Sequence, residues 1–191
     1  MKLLIKVFID DINSYDLIHI LDVLKSQIVD KKNTSIYITS NDISFDFENY
    51  DFSYLTKINI TSMINYKLNE LEWDIVLPIL RPCIVKYGFD SLIKKLYKEN
   101  FPDLDGVLWL NTGEKDDIIK FPVVGKKYYN RFGYLYNPAY NKKYFEEEFA
   151  FVAKYYKKVF FIENILIKNL PVIFDDDKIY ELRKKFNFGL V

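Results

Sequence analysis

Apolar positions fall into two kinds of segment, short unbroken runs and stripes at helical spacing. Lys2–Phe8 is a short apolar run and predicts a buried first strand. Asn13 or Ser14 then caps a helix with a buried stripe at Leu17, Leu21, Leu24 and Ile28, and His19 lies off it. Ser35–Thr39 predicts a second strand, ended by a turn at Asn41-Asp42. Residues 56–60 read as a short strand, and 61–71 as a helix with Ile64, Leu68 and Leu71 inward. Asp74–Leu80 is the clearest buried strand, and Pro78 places it near an edge or irregular end. Phe89–Leu96 predicts a helix that stops before Asn100-Phe101-Pro102. Strands follow at Gly106–Leu110 and Ile118–Val124, the latter interrupted by Pro122, and then a short helix from Gly125 to Phe132 ends at Gly133. Tyr144–Tyr156 predicts an amphipathic helix with Phe145, Phe149, Val152 and Tyr156 on one side. A late strand at Val159–Ile167 and a terminal helix capped from Asp175–Asp177 complete the pattern. This order indicates an α/β protein with a central mixed sheet flanked by helices. With no internal repeat and no Ser/Gly linker, residues 1–191 read as a single domain.

Composition narrows the function. The chain has one His and one Cys, so His19 cannot build a His triad or a multi-His zinc site, and Cys83 has no internal disulfide partner. Cys83 follows a buried strand and reads as an inert buried thiol. Every Gly and Pro lies at or after Pro78, which excludes a P-loop, a GxGxxG fingerprint or a GxSxG elbow from the first 77 residues. Charge is uneven: residues 1–75 hold 7 Lys+Arg against 12 Asp+Glu, and the rest reverses the bias to give zero net charge. That balance argues against a generic nucleic-acid binder. The acid-rich run Asp42–Asp51 reads as a solvated loop. No apolar run reaches the length of a membrane span, and Asp10-Asp11 break the first run before any cleavage site, so a cytoplasmic location is expected, in a host cell or a virion if the source is viral.

Two long segments carry a resemblance. "FPDLDGVLWLN" and "GKKYYNRFGYLYNPAY", within residues 73–168, resemble the second half of small GT-A-type (family 2-like) glycosyltransferases common in phages and bacteria. Residues 1–72 are similar only in outline and correspond to a degenerate nucleotide-binding half. The resemblance implies a Rossmann-like GT-A sheet, a nucleotide-sugar donor and a divalent metal held by an acidic pair just after the strand at Asp74–Leu80. Such a metal neutralises the charge that develops on the diphosphate leaving group.

At that point the chain departs from the family. The segment reads "LPILRPC", with Leu80, Arg81 and Pro82 where the acids belong, so no cofactor is expected. The loop after the first strand, "VFIDDINSYD", has acids where the family binds the nucleotide. The acceptor-side turn reads Asn111-Thr112-Gly113, and the usual His-Pro reads Asn137-Pro138. By the resemblance, Glu146 or Glu148 stands where the general base of an inverting transfer belongs. The plainer reading is that Glu146–Glu148 charge the first turn of a helix.

Two functions remain open. In one, the chain keeps the scaffold, has lost metal-dependent transfer, and serves as a binding or assembly module with a protein partner or second copy, in a phage setting as a virion component. In the other it is an active, metal-independent transferase in which Arg81 holds the diphosphate and Glu146 or Glu148 is the base. An open pocket lined by Arg81, Asn111 and Glu146 favours the second. Space filled by Phe8 and Pro82 favours the first. Lysines between the tyrosines of residues 126–158 form the best nucleic-acid-like patch, interrupted by acidic runs.

Overall fold

A computed structural model describes residues 1–9, 21–41, 47, 50–55, 59–114, 118–141 and 143–170. Leu17, His19, most of the acidic run after Asn41 and the terminal segment from Asp175 lie outside them.

The main sheet has seven strands. They are β1 (Leu3–Ile9), β2 (Thr34–Ser40), β3 (Asp51–Tyr54), β4 (Ile75–Ile79), β6 (Val107–Asn111), β7 (Pro122–Gly125) and β8 (Val159–Ile165). Their spatial order is β3-β2-β1-β4-β7-β6-β8. β7 runs antiparallel to β4 and β6, and the other described pairings are parallel. A separate antiparallel pair joins β5 (Cys83–Val85) to β9 (Ile167–Asn169).

Every residue of β1 is buried, because helices cover both faces of the sheet at its centre. Leu3, Ile5, Val7 and Ile9 pack with Leu21, Leu24 and Ile28 around α1 (residues 21–26 are helical) and with Phe89, Ile93 and Tyr97 of α3 (Phe89–Asn100). Leu4 and Phe8 face the other way. They join Met63 and Ile64 of α2 (Ile60–Asn65), Tyr128 and Tyr129 of α4 (Lys126–Tyr129), and Phe145 and Phe149 of α5 (Phe145–Tyr155).

Several expectations are corrected. A third strand lies at Asp51–Tyr54; most of the strand expected at 56–60 lies outside the described residues, and Ile60 begins a helix. That helix ends at Asn65, although Ile64 and Leu68 are buried as the 61–71 pattern required. β4 is central, not an edge, despite Pro78. Its pairing with β7 covers only Ile75 and Val76, so the amide that Pro78 lacks falls beyond the reach of that ladder. β7 starts at Pro122, as a strand opening with proline must. Tyr156 does not join the buried side of α5; it is exposed.

Two buried devices fix the frame. Asp90, fully buried on α3, accepts from the Val29 and Asp30 amides at 3.1 and 2.9 Å and from Thr34 Oγ1 at 3.0 Å, which ties α3 to the β2 entry. At Gly125 a Cβ would stand 2.1 Å from Tyr97 Oη and 2.2 Å from the Leu104 carbonyl, so only glycine fits there.

Candidate functional site at the carboxyl ends of the strands

β1, β2, β4 and β6 end on the same side of the sheet, because their shared neighbours run parallel or are related through the one antiparallel strand β7. In open α/β sheets this is where ligands bind, beside the point where strand order reverses. Here the order reverses between β1 and β4, and Arg81 follows β4.

Arg81 and Glu146 meet. One guanidinium nitrogen, Nη2, donates to both Glu146 carboxylate oxygens at 2.5 Å, across 65 residues of sequence. The pair is sheltered, with side-chain exposures of 27% for Arg81 and 13% for Glu146. Glu146 lies in the first turn of α5, which brings its carboxylate to the end of β4. Burial raises its pKa, and the charge and hydrogen bonds of Arg81 oppose that shift. Lys120 also acts on Glu146 electrostatically and bridges to Glu114, two side chains that sequence reading did not single out.

Tyr136 is the other residue the sequence left undistinguished. It is fully buried, its hydroxyl has no hydrogen-bond partner among the described residues, and burial with the Glu146 charge holds its pKa well above the phenol value. Arg81 opposes that shift. The only sequence sign of its role is a place in the tyrosine-rich run before α5.

The remaining candidates hydrogen-bond to other partners. Asn111 Nδ2 donates to the Glu163 carbonyl at 2.6 Å, and its Oδ1 accepts from the Gly113 amide at 2.8 Å. Thr112 is buried, and its hydroxyl accepts from the Glu114 amide at 3.4 Å. These contacts make a turn after β6, with Gly113 at φ +82°. Glu148 accepts from Asn137 Nδ2 at 3.0 Å and hydrogen-bonds Tyr140, raising that phenol's pKa. Of the three glutamates, Glu147 alone is exposed, so the expectation of a solvated acidic first turn holds only there.

Beside Glu148 a cavity of about 40 Å³ is lined by Tyr128, Phe132, Leu135, Asn137 and Phe149, room for water but not for a sugar ring. A groove of about 460 Å³ lies instead by the start of β2, lined by Lys25, Ile28, Lys31, Ile36, Tyr50 and Asp51, at the other end of the strands from Arg81. Phe8 and Pro82 are buried. Leu80, Arg81 and Pro82 supply no side-chain oxygen at the end of β4, and the guanidinium there adds positive charge. Cys83 is buried in β5, which pushes its thiol up to about 12 and makes it unreactive.

No family model and no curated protein sequence matches the chain. Solved structures do. Residues 1–349 of S. aureus TarS superpose with a TM-score of 0.71 at 13% identity, over 99% of this chain and 65% of that one. The same protein in complex with UDP-GlcNAc gives 0.70 at 13%, over 92% and 60%. The mannosyltransferase PcManGT from Pyrobaculum calidifontis, in complex with GDP-Man and Mn²⁺, gives 0.66 at 10%, over 96% and 60%. The chain spans 39% of the longer TarS structure, so these proteins carry substantial further sequence. No described helix is long and apolar enough to cross a membrane. A mixed sheet with this strand order, helices on both faces and a superposition over nearly the whole chain identify the fold as that of the GT-A-type glycosyltransferases.

Proposed function

We propose that this chain is a GT-A-fold protein that has given up metal-dependent sugar transfer and acts as a binding or assembly module. One observation carries the reading: Arg81 and Glu146 neutralise each other. The resemblance offers Arg81 as the diphosphate ligand and Glu146 as the base, and their ion pair engages both at once. A base bonded to a guanidinium is a poor proton acceptor, and a guanidinium bonded to a carboxylate is a poor anion site. The partner is a protein or a second copy of the chain, in the cytoplasm or, for a viral chain, in a virion.

The purified chain is incubated with a panel of uridine and guanosine diphosphate sugars, with and without Mn²⁺, and nucleotide release is measured. No turnover is expected. Metal-stimulated hydrolysis or transfer from any donor would sink the reading.

A second reading is a metal-independent transferase. The unpartnered Tyr136 hydroxyl beside the pair favours it, because a ligand phosphate exchanging with Glu146 would find both a guanidinium and a phenol. Solved neighbours with UDP-GlcNAc and GDP-Man bound agree with it at the level of fold. Calorimetry with UDP and GDP separates the two readings. Binding that needs no Mn²⁺ and is lost in Arg81→Met favours the second, and no heat at millimolar nucleotide removes it.

A further inference from the structure

β8 is the last strand of the main sheet, and no strand among the described residues pairs with its outer edge. Its ladder to β6 is regular over Val159–Ile162 and shifts register beyond Leu110. The Val107 amide donates to the Lys158 carbonyl at 2.8 Å, so alternation turns the amides and carbonyls of Val159 and Phe161 away from β6. Val159–Ile162 carries no charge and no proline, two devices that keep sheet edges from pairing. Phe160 and Phe161 are 45% and 44% exposed, and successive residues face opposite sides of a sheet, so one half-covered ring stands at the rim of each face. Phe161 leans edge-on against Trp109 at 5.2 Å. A strand added at this edge covers both rings and gives partners to both outward residues.

We infer that the β8 edge pairs antiparallel with β8 of a second copy of this chain, about a two-fold axis at Phe160. In that register Val159 faces Phe161 of the second copy. The two Phe160 rings meet at a non-hydrogen-bonded position, where side chains stand closest. The ends of the strand select a second copy over an unrelated strand. Lys157 stands three residues before Phe160 and Glu163 three residues after it, with opposite charge. The two-fold axis therefore sets Lys157 of each copy opposite Glu163 of the other. Neither side chain has an ion-pair partner among the described residues. Lys158 is not counted, since Asp105 holds it at 2.9 Å. The Glu163 carbonyl accepts from Asn111 Nδ2 at 2.6 Å, which closes the backbone edge there and leaves the carboxylate for the charge pair. The inference rests on the proposed function only in naming the partner left open there, and the nucleotide-release assay tests the loss of transfer separately.

The test is sedimentation equilibrium of the full chain from low to high micromolar concentration, with hydrogen exchange read at the Val159 and Phe161 amides. A monomer–dimer equilibrium is expected, with both amides protected in the dimer. Lys157→Glu and Glu163→Lys should each weaken the dimer by at least about threefold, and the two together should restore it. Phe161→Pro removes an outward amide that the β6 ladder does not use, so it should weaken the dimer by at least about tenfold while the chain still unfolds cooperatively. If the proline variant fails to fold, the charge reversals, at exposed side chains, still read the pairing. A monomer at every concentration overturns the inference. So does a dimer that the single reversals leave unchanged, or one that the double reversal fails to restore. Protection of both amides in a monomer assigns the edge to other residues of the same chain and overturns it as well.

Discussion

Lys6 gives the sharpest test of how this fold is held together. It sits mid-strand in β1, fully buried, and its ammonium has no hydrogen-bond partner among the described residues. It lies over the Tyr37 ring at 4.2 Å. Burial, assisted by the charge of Lys67, lowers its pKa from 10.5 to about 7. At 1.36 kcal/mol per pH unit that difference corresponds to a charging penalty of about 5 kcal/mol. The cation–π contact returns about 1–2 kcal/mol of it. Lys6→Met leaves an unbranched side chain one atom shorter and removes the charge, so it should stabilise the fold by about 3 kcal/mol at pH 6.

The pH dependence discriminates better than the magnitude. Below pH 7 both folded and unfolded chains carry the proton, so the whole penalty is present. Between 7 and 10.5 the unfolded chain holds a proton that the folded chain does not, so stability of the natural protein rises with pH. The advantage of Lys6→Met should therefore shrink steadily above pH 7 and nearly vanish by about pH 9.5. Urea unfolding followed by Trp73 and Trp109 fluorescence at three pH values measures it. A difference that does not change with pH, or a variant less stable than the natural protein at pH 6, would refute the reasoning.

Other substitutions probe the site and the frame. Arg81→Ala leaves Glu146 sheltered without its partner and should cost about 2–4 kcal/mol near neutral pH, shrinking as pH falls and the carboxyl takes up its proton; adding Glu146→Gln should recover most of the loss in urea melts. Asp90→Ala strips acceptors from the Val29 and Asp30 amides and the Thr34 hydroxyl, and a loss of about 3 kcal/mol is expected by thermal unfolding. Gly125→Ala drives a methyl into the Tyr97 hydroxyl and the Leu104 carbonyl and should cost more than about 2 kcal/mol, whereas Gly133→Ala, with open space around it but φ at +73°, should cost about 1 kcal/mol; equal losses would contradict the close-approach argument.

The candidate site was legible as a set of positions and not as an arrangement. Arg81 and Glu146 stood out because each occupies a place in a family-like segment. Their pairing spans 65 residues, and nothing in either local sequence announces it. Tyr136 escaped notice because a buried tyrosine with an unpartnered hydroxyl reads along the chain like any other aromatic. Asn111, Thr112 and Gly113 looked like a ligand turn, and the structure shows their polar atoms bonded to neighbouring backbone.

Local pattern alone determined which segments are apolar enough to be covered on both sides, as in β1 and β4, and which helices show one face, as in α3 with Phe89, Ile93 and Tyr97. It determined the missing phosphate loop, because the first 77 residues have no glycine to make one. Tertiary structure decided strand order, and so set Pro78 in a central strand where only a short neighbour let its absent amide go unnoticed. It also turned Phe151 and Tyr155 out to solvent, since which stripe of α5 is buried depends on the sheet that helix meets. Sequence periodicity records how an element divides into faces, but what each face touches is fixed only by contacts distant in the chain.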